Sequence, residues 1–141
     1  MIRVEMSKRE ELVKLALEAR EKAYSPYSNF CVGAALLCAD GEIFCGANIE
    51  NSSYGATICA ERSAFAAAIS QGKRSFSAIA IVGGERDAKV NKSCSPCGIC
   101  RQFMTEFCTP DFLVILYDGQ AITKKTLGEL MPEAFDKSSL Q

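Results

Sequence analysis

The chain contains no histidine and no tryptophan, and the missing histidine restricts its chemistry most. Without an imidazole group, the chain can form neither a Ser-His-Asp triad nor a Cys-His nucleophile pair. Zinc sites that use a histidine ligand are excluded for the same reason. Any transition-metal site in this chain must therefore be built from thiolate and carboxylate groups.

The chain also lacks an excess of charge of either sign, with 16 Lys and Arg against 17 Asp and Glu. No basic block suggests binding to nucleic acid or to an anionic membrane. No apolar run approaches the roughly 18 residues of a membrane-spanning helix, and the start "MIRVEMSKREE" lacks the apolar region of a secretory signal. We therefore expect one cytoplasmic domain over residues 1–141 with a polar tail from about residue 136, and neither nucleic acid nor membrane as a partner.

Cysteine, in contrast, is abundant, with eight residues among 141. In a reducing cytosol this favours metal binding or catalysis over disulfides. Four cysteines lie in apolar or strand-like stretches and are expected to act as small hydrophobic side chains: Cys31, Cys38, Cys45 and Cys108. The other four lie in two short segments, "TICAERSAF" at 57–65 and "SCSPCGICRQF" at 93–103.

The order of predicted elements is α-β-β-α-β-α-β-(β)-α. Ser7 and Glu10 have the spacing of a capping box that opens the first helix, and Asp40-Gly41 is typical of a two-residue hairpin turn. The alanine-rich segment 57–71 predicts a helix, and the segment 92–107 predicts a loop that becomes a helix near Pro96 or Cys97. A strand is predicted over 42–51 and a short helix over 123–131. This pattern favours an α/β fold, with one mixed sheet and helices on its faces.

Cys97 and Cys100 have the C-x-x-C spacing most common for two ligands of one metal. Cys59 is the natural third ligand, because it and Cys97 are predicted in the first turns of two helices, where the helix dipole favours thiolate. Three protein ligands leave one position for water, as in catalytic zinc sites. Alternatives are a closed four-thiolate site that includes Cys94, a redox dithiol, and iron in place of zinc.

Glu61 and Arg62 follow the first of these cysteines directly. From that turn, the Glu61 carboxylate can reach over the metal without ligating it and act as a general acid and base. The alternative for Glu61 is a surface residue that stabilises a helix N-terminus. Three thiolates leave a divalent zinc site negative, so we predict that Arg62 donates to the ligand sulfurs and offsets their charge. Arg101 and Gln102 could serve similarly.

The segments Cys59-Ala60-Glu61 and Pro96-Cys97-Gly98-Ile99-Cys100 match the signature of zinc nucleobase deaminases with an all-cysteine ligand set. Together with "YSPYSNF", "VGAALL", "GANIENSSYGATICAERSAF" and "SPCGICRQFM", they make residues 12–135 resemble the cytidine deaminases of pyrimidine salvage, in their small homotetrameric branch. The resemblance implies a three-layer α/β/α sandwich around a mixed five-stranded sheet. It also implies hydrolytic deamination of cytidine and deoxycytidine, with one Zn²⁺ per chain on Cys59, Cys97 and Cys100.

The resemblance further implies a role for each residue around the zinc. Glu61 shuttles protons to the pyrimidine ring nitrogen and to the leaving ammonia. Asn48 and Glu50 hold the ribose hydroxyls, and their alternate positions on one predicted strand place both on the same side. The remaining implied contacts are packing of Phe30 against the nucleoside, a backbone contact of Ala60 with the base carbonyl, and approach of Tyr54 and Phe135 to the active site of a neighbouring subunit.

Some features leave alternatives open. Asn48 and Glu50 could be a polar strand end that caps a turn, and Phe135 could pack locally. The chain departs from the family in having Cys31 where proline is frequent, and in the additional Cys94 and Cys108. Competing functions are deamination of blasticidin-type nucleoside antibiotics, editing of polynucleotides and a structural zinc-binding module.

Overall fold

The computed structural model describes residues 4–140, which form five strands and four α-helices. The strands are β1 (Phe30–Cys38), β2 (Ile43–Ala47), β3 (Phe76–Glu85), β4 (Leu113–Tyr117) and β5 (Ile122–Thr126). The helices are α1 (Met6–Arg20), α2 (Ala60–Ser70), α3 (Gly98–Phe107) and α4 (Leu127–Leu130), and short 3₁₀ turns cover Tyr54–Ala56 and Lys137–Leu140. No helix within residues 4–140 has the length and apolar character that crossing a membrane requires.

The strands form one mixed sheet in the order β2-β1-β3-β4-β5. Only β3 and β4 run parallel, and the chain between them contains α3; the other neighbouring strands are antiparallel. A turn at Asp40-Gly41 joins β1 to β2, but its loop has three residues, 39–41, instead of the predicted two, because the N–H of Cys38 donates to the carbonyl oxygen of Glu42. Gly41 has a φ of 95°, which glycine adopts without strain. The predicted five-stranded mixed sheet is confirmed.

Helices cover both faces of the sheet because the central strands are apolar on both sides. In β1, Ala35 and Leu37 pack into a core beneath α1, where Leu12, Val13 and Ala16 lie. The alternate residues Ala34 and Leu36 pack into a second core on the opposite face. This second core contains residues of α2, α3 and α4: Ala64, Phe65, Met104 and Leu127. The three-layer α/β/α arrangement is therefore confirmed, with α2 and α3 on the same side of the sheet.

Two other local predictions were wrong. The helix α1 begins at Met6 with Glu5 as its N-cap and no side-chain cap, so Ser7 lies inside the helix rather than before it. Residues 122–126 form β5 instead of the start of a helix, because they pair with β4 after the Asp118-Gly119 turn. The Asp118 carboxylate accepts the backbone N–H groups of Gln120 and Ala121 and so stabilises that turn. The helix begins only after Thr126, which forms a capping box with Glu129.

Glycine at position 46 allows α2 to lie very close to β2. A Cβ atom added at Gly46 would lie 2.5 Å from the backbone nitrogen of Ala64 and 2.7 Å from the carbonyl oxygen of Ala60. Both atoms belong to the backbone of α2, so neither can move without shifting the helix. The absence of a side chain at this position therefore determines where the N-terminus of α2 lies.

We expect Gly46→Ala to lower the free energy of unfolding by about 1–3 kcal/mol, because the added methyl overpacks the β2–α2 contact. Chemical denaturation followed by circular dichroism would measure this change. The matched control is Gly55→Ala, since an added Cβ at Gly55 meets nothing within 4 Å. Equal stability of the two variants would contradict the close approach.

Candidate metal centre and adjoining cleft

Two helix N-termini bring three cysteines together. Cys59 is the N-cap of α2, Cys97 is the N-cap of α3, and Cys100 lies in the first turn of α3. The sequence predicted Cys59 and Cys97 within the first turns, and both helices begin later. For α2 the reason is that Ile58 pairs with Ile49 in an isolated β-bridge, so the chain stays extended up to Cys59. At the N-cap, a thiolate still faces the unpaired N–H groups of the helix.

The sulfur geometry fits a tetrahedral zinc ion. The Sγ atoms of Cys59, Cys97 and Cys100 all lie within 4.8 Å of one another, and those of Cys59 and Cys97 are 3.8 Å apart. Two thiolates bound to tetrahedral zinc at about 2.3 Å lie about 3.8 Å from each other. Within residues 4–140, these three cysteines are the one such group suited to a metal, and Cys94 is not a member. The four-thiolate alternative is therefore not formed.

Arg62 lies against the sulfur of Cys59. Its Nη2 atom donates to the Sγ of Cys59 at 3.6 Å and to the carbonyl oxygen of Thr57 at 3.4 Å. The pKa of the Cys59 thiol is lowered to about 5, mainly by a hydrogen bond with Cys100, which outweighs the opposing effect of burial. Hydrogen bonds with Arg62 and Cys97 lower this pKa further. The hydrogen bond between Cys59 and Cys100, followed by burial, raises the pKa of Cys100, so this pair favours a thiolate at Cys59 and a neutral thiol at Cys100.

Glu61 is buried beside this cluster, with only 4% of its surface exposed. Burial raises the pKa of its carboxyl group to about 7, and the nearby charge of Cys59 raises it too, whereas Arg62 opposes the shift. A carboxyl group with this pKa is populated in both protonation states near neutral pH, which suits a general acid and base. Its burial excludes the alternative of a surface glutamate at a helix N-terminus.

Phe30 and Cys94 meet at the edge of the cluster. A Cβ atom added at Gly83 would lie 2.8 Å from the Sγ of Cys94 and 2.9 Å from Cε2 of Phe30, so both side chains pack over this glycine. Burial, followed by the charges of Glu61, Cys59 and Cys97, raises the pKa of Cys94 to about 11. Cys94 is therefore a neutral thiol that packs beside Phe30 at neutral pH.

A cleft of about 320 Å³ has Thr57, two residues before Cys59, in its wall. Its walls are Tyr27, Ser28, Glu50, Asn51, Tyr54 and Thr57. Thr57 links the cleft to the cluster, because its carbonyl oxygen accepts the hydrogen bond from Arg62. Of the residues predicted to bind the nucleoside, the structure places Glu50 and Tyr54 in these walls, while Phe30, Asn48, Ala60 and Phe135 lie outside them.

Glu50 holds the turn that precedes β1. Its Oε1 accepts the backbone N–H groups of Tyr27 at 3.0 Å and Ser28 at 3.1 Å, and its Oε2 accepts the Ser28 hydroxyl. Burial would raise the pKa of Glu50, but these hydrogen bonds outweigh it and lower the pKa. The sequence did not reveal this contact of Glu50 with Tyr27 and Ser28. The "SPYS" turn was recognisable, but its partner lies more than 20 residues away in the chain.

Asn48 is buried, and its side chain forms hydrogen bonds with the backbone at the beginning of β1. Its Oδ1 accepts the backbone N–H of Val32, and its Nδ2 donates to the carbonyl oxygen of Phe30, both at 2.9 Å. The prediction that Asn48 and Glu50 share one strand was wrong, because β2 ends at Ala47. Within residues 4–140, the second N–H of the Asn48 amide has no acceptor and can donate to a further group.

Arg101 and Gln102 do not resemble Arg62 in what they bind. Arg101 donates to the carbonyl oxygens of Pro96 and Leu130, and Gln102 donates to the carbonyl oxygen of Phe135 and to the hydroxyl of Thr105. Within residues 4–140, neither side chain donates to sulfur. The side chain of Phe135 is 62% exposed and that of Tyr54 is 75% exposed. Local packing of Phe135 in a core is therefore excluded.

Comparison with known proteins gives consistent matches. Residues 6–116 match the model of the cytidine and deoxycytidylate deaminase zinc-binding region. The chain is 51% identical over 128 residues to a cytidine deaminase of Halalkalibacterium halodurans, covering 90% of this chain and 93% of that protein. It is 48% identical over 132 residues to a cytidine deaminase of Sporosarcina psychrophila, covering 93% of each. The crystal structure of a cytidine deaminase from Burkholderia pseudomallei superposes with a TM-score of 0.82 at 46% identity, covering 89% of this chain and 98% of that one.

We expect Cys97→Ser to lose bound zinc, because hydroxyl is a much poorer ligand than thiolate and the remaining two sulfurs leave the site incomplete. Metal analysis of the purified protein should give about one zinc per chain for wild type and only a small fraction of that for the variant. Cys94→Ser is the matched control and should keep its zinc. Equal loss from both variants would favour a four-cysteine site.

Proposed function

Because the chain belongs to the cytidine and deoxycytidylate deaminase family, we propose that it converts cytidine and deoxycytidine to uridine and deoxyuridine by hydrolysis, with release of ammonia. The observation that carries this proposal is the buried Glu61 carboxyl group beside a cluster of three thiols. A closed structural site would need no such group. The activity is that of a pyrimidine salvage enzyme.

Cys59, Cys97 and Cys100 would hold the Zn²⁺ ion as thiolates. The bound ion supplies Lewis acidity, which activates a water molecule for attack on the pyrimidine ring. Arg62 offsets the negative charge of the three sulfurs through its hydrogen bond to Cys59. The N-termini of α2 and α3 act in the same direction, because their unpaired N–H groups favour negative charge on the two capping cysteines.

Glu61 transfers the protons of the reaction. Its carboxylate accepts one proton from the attacking water and passes it to the pyrimidine ring nitrogen. It then takes the second proton from the hydroxyl group that the water has added to the ring carbon and delivers it to the amino group, so that the carbonyl forms as the C–N bond breaks and ammonia leaves. The two roles need a group that gains and loses a proton near neutral pH, and the pKa of about 7 meets that need. Burial also keeps bulk water from competing for the carboxylate.

Recognition of the nucleoside would fall to residues around the cleft. Glu50 lines the cleft and would accept hydrogen bonds from the sugar hydroxyls, and Asn48, which lies outside the cleft walls, would add a donor from its amide group. The backbone N–H of Ala60, at the first position of α2, has no acceptor within the helix and is available for the base carbonyl. Phe30 would pack against the nucleoside from its position over Gly83.

We further propose a cytoplasmic homotetramer in which subunits share active sites. Large apolar side chains are exposed close to the site, including Tyr54 at the cleft, Ile99 in α3 and Phe135 in the C-terminal segment. Exposed apolar side chains of this kind are typical of surfaces that a partner covers. All eight cysteines are free thiols, which suits the reducing cytoplasm.

We expect Glu61→Gln to reduce cytidine deamination by at least about 10²–10⁴-fold, because the amide can neither accept nor deliver the proton. Cytidine loss and ammonia release would be measured on samples whose zinc content is also determined, and zinc should stay at about one per chain. Glu106→Gln, at an exposed position of α3, is the control and should behave as wild type. A zinc-loaded wild type that is inert towards both nucleosides would overturn the proposed function.

Glu50→Gln should lower kcat/KM for cytidine by about 10–100-fold, since hydrogen bonds to a charged acceptor contribute about 1.5–3 kcal/mol. The same variant should be much less affected with 2′,3′-dideoxycytidine, which lacks the hydroxyls that Glu50 would bind. Comparing the two substrates separates sugar binding from the role of Glu50 in the turn at Tyr27 and Ser28. An equal loss with both substrates would mean that Glu50 acts only through that turn.

A further inference from the structure

Arg101 follows the last cysteine of the cluster and makes two hydrogen bonds to the backbone. Its Nε atom donates to the carbonyl oxygen of Pro96 at 2.8 Å, and its Nη1 atom donates to that of Leu130 at 3.0 Å. The side chain is half-buried. One guanidinium thus joins the segment before α3 to the end of α4.

Both acceptors are groups that need a partner. Pro96 is fully buried, and a buried carbonyl oxygen left without a hydrogen bond is costly. Leu130 is the last residue of α4, and the final carbonyl groups of a helix have no partner within it. The planar guanidinium presents its donors at fixed angles, so satisfying both oxygens also fixes their relative positions.

The Pro96 carbonyl directly precedes Cys97, so its position influences where the Cys97 sulfur lies. The backbone on the other side of Cys97 is held by α3, since the N–H of Arg101 donates to the carbonyl oxygen of Cys97 at 2.9 Å. Arg101 therefore binds the chain at two adjacent residues. Its side chain binds the Pro96 carbonyl, and its backbone N–H binds the Cys97 carbonyl. Gln102 extends the attachment by donating to the carbonyl oxygen of Phe135 at 2.8 Å.

We propose that Arg101 is a positioning residue of the metal centre. By holding the Pro96 carbonyl, it keeps the Cys97 sulfur at the distance from Cys59 and Cys100 that zinc requires, and through Leu130 it braces this loop against the C-terminal segment. Arg62 acts on the sulfurs themselves, whereas Arg101 acts through the backbone. The inference rests on the proposed binding of zinc by these three cysteines.

The test is the rate at which zinc passes from the zinc-loaded protein to a chromogenic chelator in excess. We expect Arg101→Lys to release zinc about tenfold faster than wild type, which is the size of effect seen when groups that orient metal ligands are replaced. Lysine keeps the positive charge but lacks the planar guanidinium that donates to the carbonyl oxygens of Pro96 and Leu130 at the same time. The absorption spectrum of the cobalt-substituted protein should also shift, because the thiolate bands report the geometry of the sulfurs.

Two control variants separate this role from general stability. Arg74→Lys makes the same exchange at an arginine that also donates to two backbone carbonyls, those of Ile69 and Lys73, near the opposite end of α2. Val13→Ala weakens the core under α1, on the other face of the sheet from the cysteines. Both should release zinc at the wild-type rate, although Val13→Ala lowers the melting temperature.

The possible outcomes separate failure of the proposed role of Arg101 from failure of the proposed function. Release from Arg101→Lys at the wild-type rate, or equally fast release from Arg74→Lys or Val13→Ala, would overturn the inference while leaving the proposed function intact. A wild-type protein that binds no zinc would overturn both. Faster release confined to Arg101→Lys, with a shifted cobalt spectrum, would support it.

Discussion

The negative charge that three thiolates would place around one zinc ion is the constraint on which the rest of the proposed site depends. With no histidine in the chain, a neutral imidazole cannot replace any of the thiolates. The charge must be balanced locally, and the fold does this with two helix N-termini and the guanidinium of Arg62. The sheet holds α2 and α3 on the same face, so that both N-termini reach one point. The glycine at position 46 contributes by allowing α2 to lie directly on β2.

The residues around the cleft serve the fold and the proposed chemistry together. Asn48 binds both ends of the Phe30–Val32 backbone, and Glu50 binds the turn that leads into it. Each uses part of its hydrogen-bonding capacity for this and keeps part of it for another partner. The segment that carries Phe30 is therefore fixed by the same two side chains that would contact the sugar. A substitution of Asn48 or Glu50 would therefore change the shape of the site as well as its affinity for the sugar.

Much of the fold and of the cysteine cluster could be predicted from the sequence, because the strongest sequence patterns were local. The Asp40-Gly41 turn, the apolar run of β3 and the C-x-x-C spacing each depend on a few adjacent residues. The structure has a turn, a strand and grouped sulfurs at these places, although the turn has one residue more than predicted. The failures arose where distant partners decide the outcome. Residues 123–126 are polar and were predicted as the start of a helix, but pairing with β4 makes them part of a strand. The spacing of Ser7 and Glu10 satisfies a capping box, yet the helix begins at Met6, whereas Thr126 and Glu129 form a capping box that was overlooked. Arg101 and Gln102 each have one acceptor about 30 residues along the chain, at Leu130 and Phe135, where no local pattern could indicate it.

The position of the cysteines in the chain has a consequence for folding. Cys59 and Cys97 are 38 residues apart, and the intervening chain includes α2 and the central strand β3. A metal held by both closes this stretch into a loop, as a disulfide would, and the closed loop restricts the conformations open to the unfolded chain. Because the unfolded chain has no preformed site, part of the free energy of metal binding becomes free energy of folding. An ion held by Cys59 and Cys97 would therefore stabilise the fold as a cross-link, in addition to its role in catalysis.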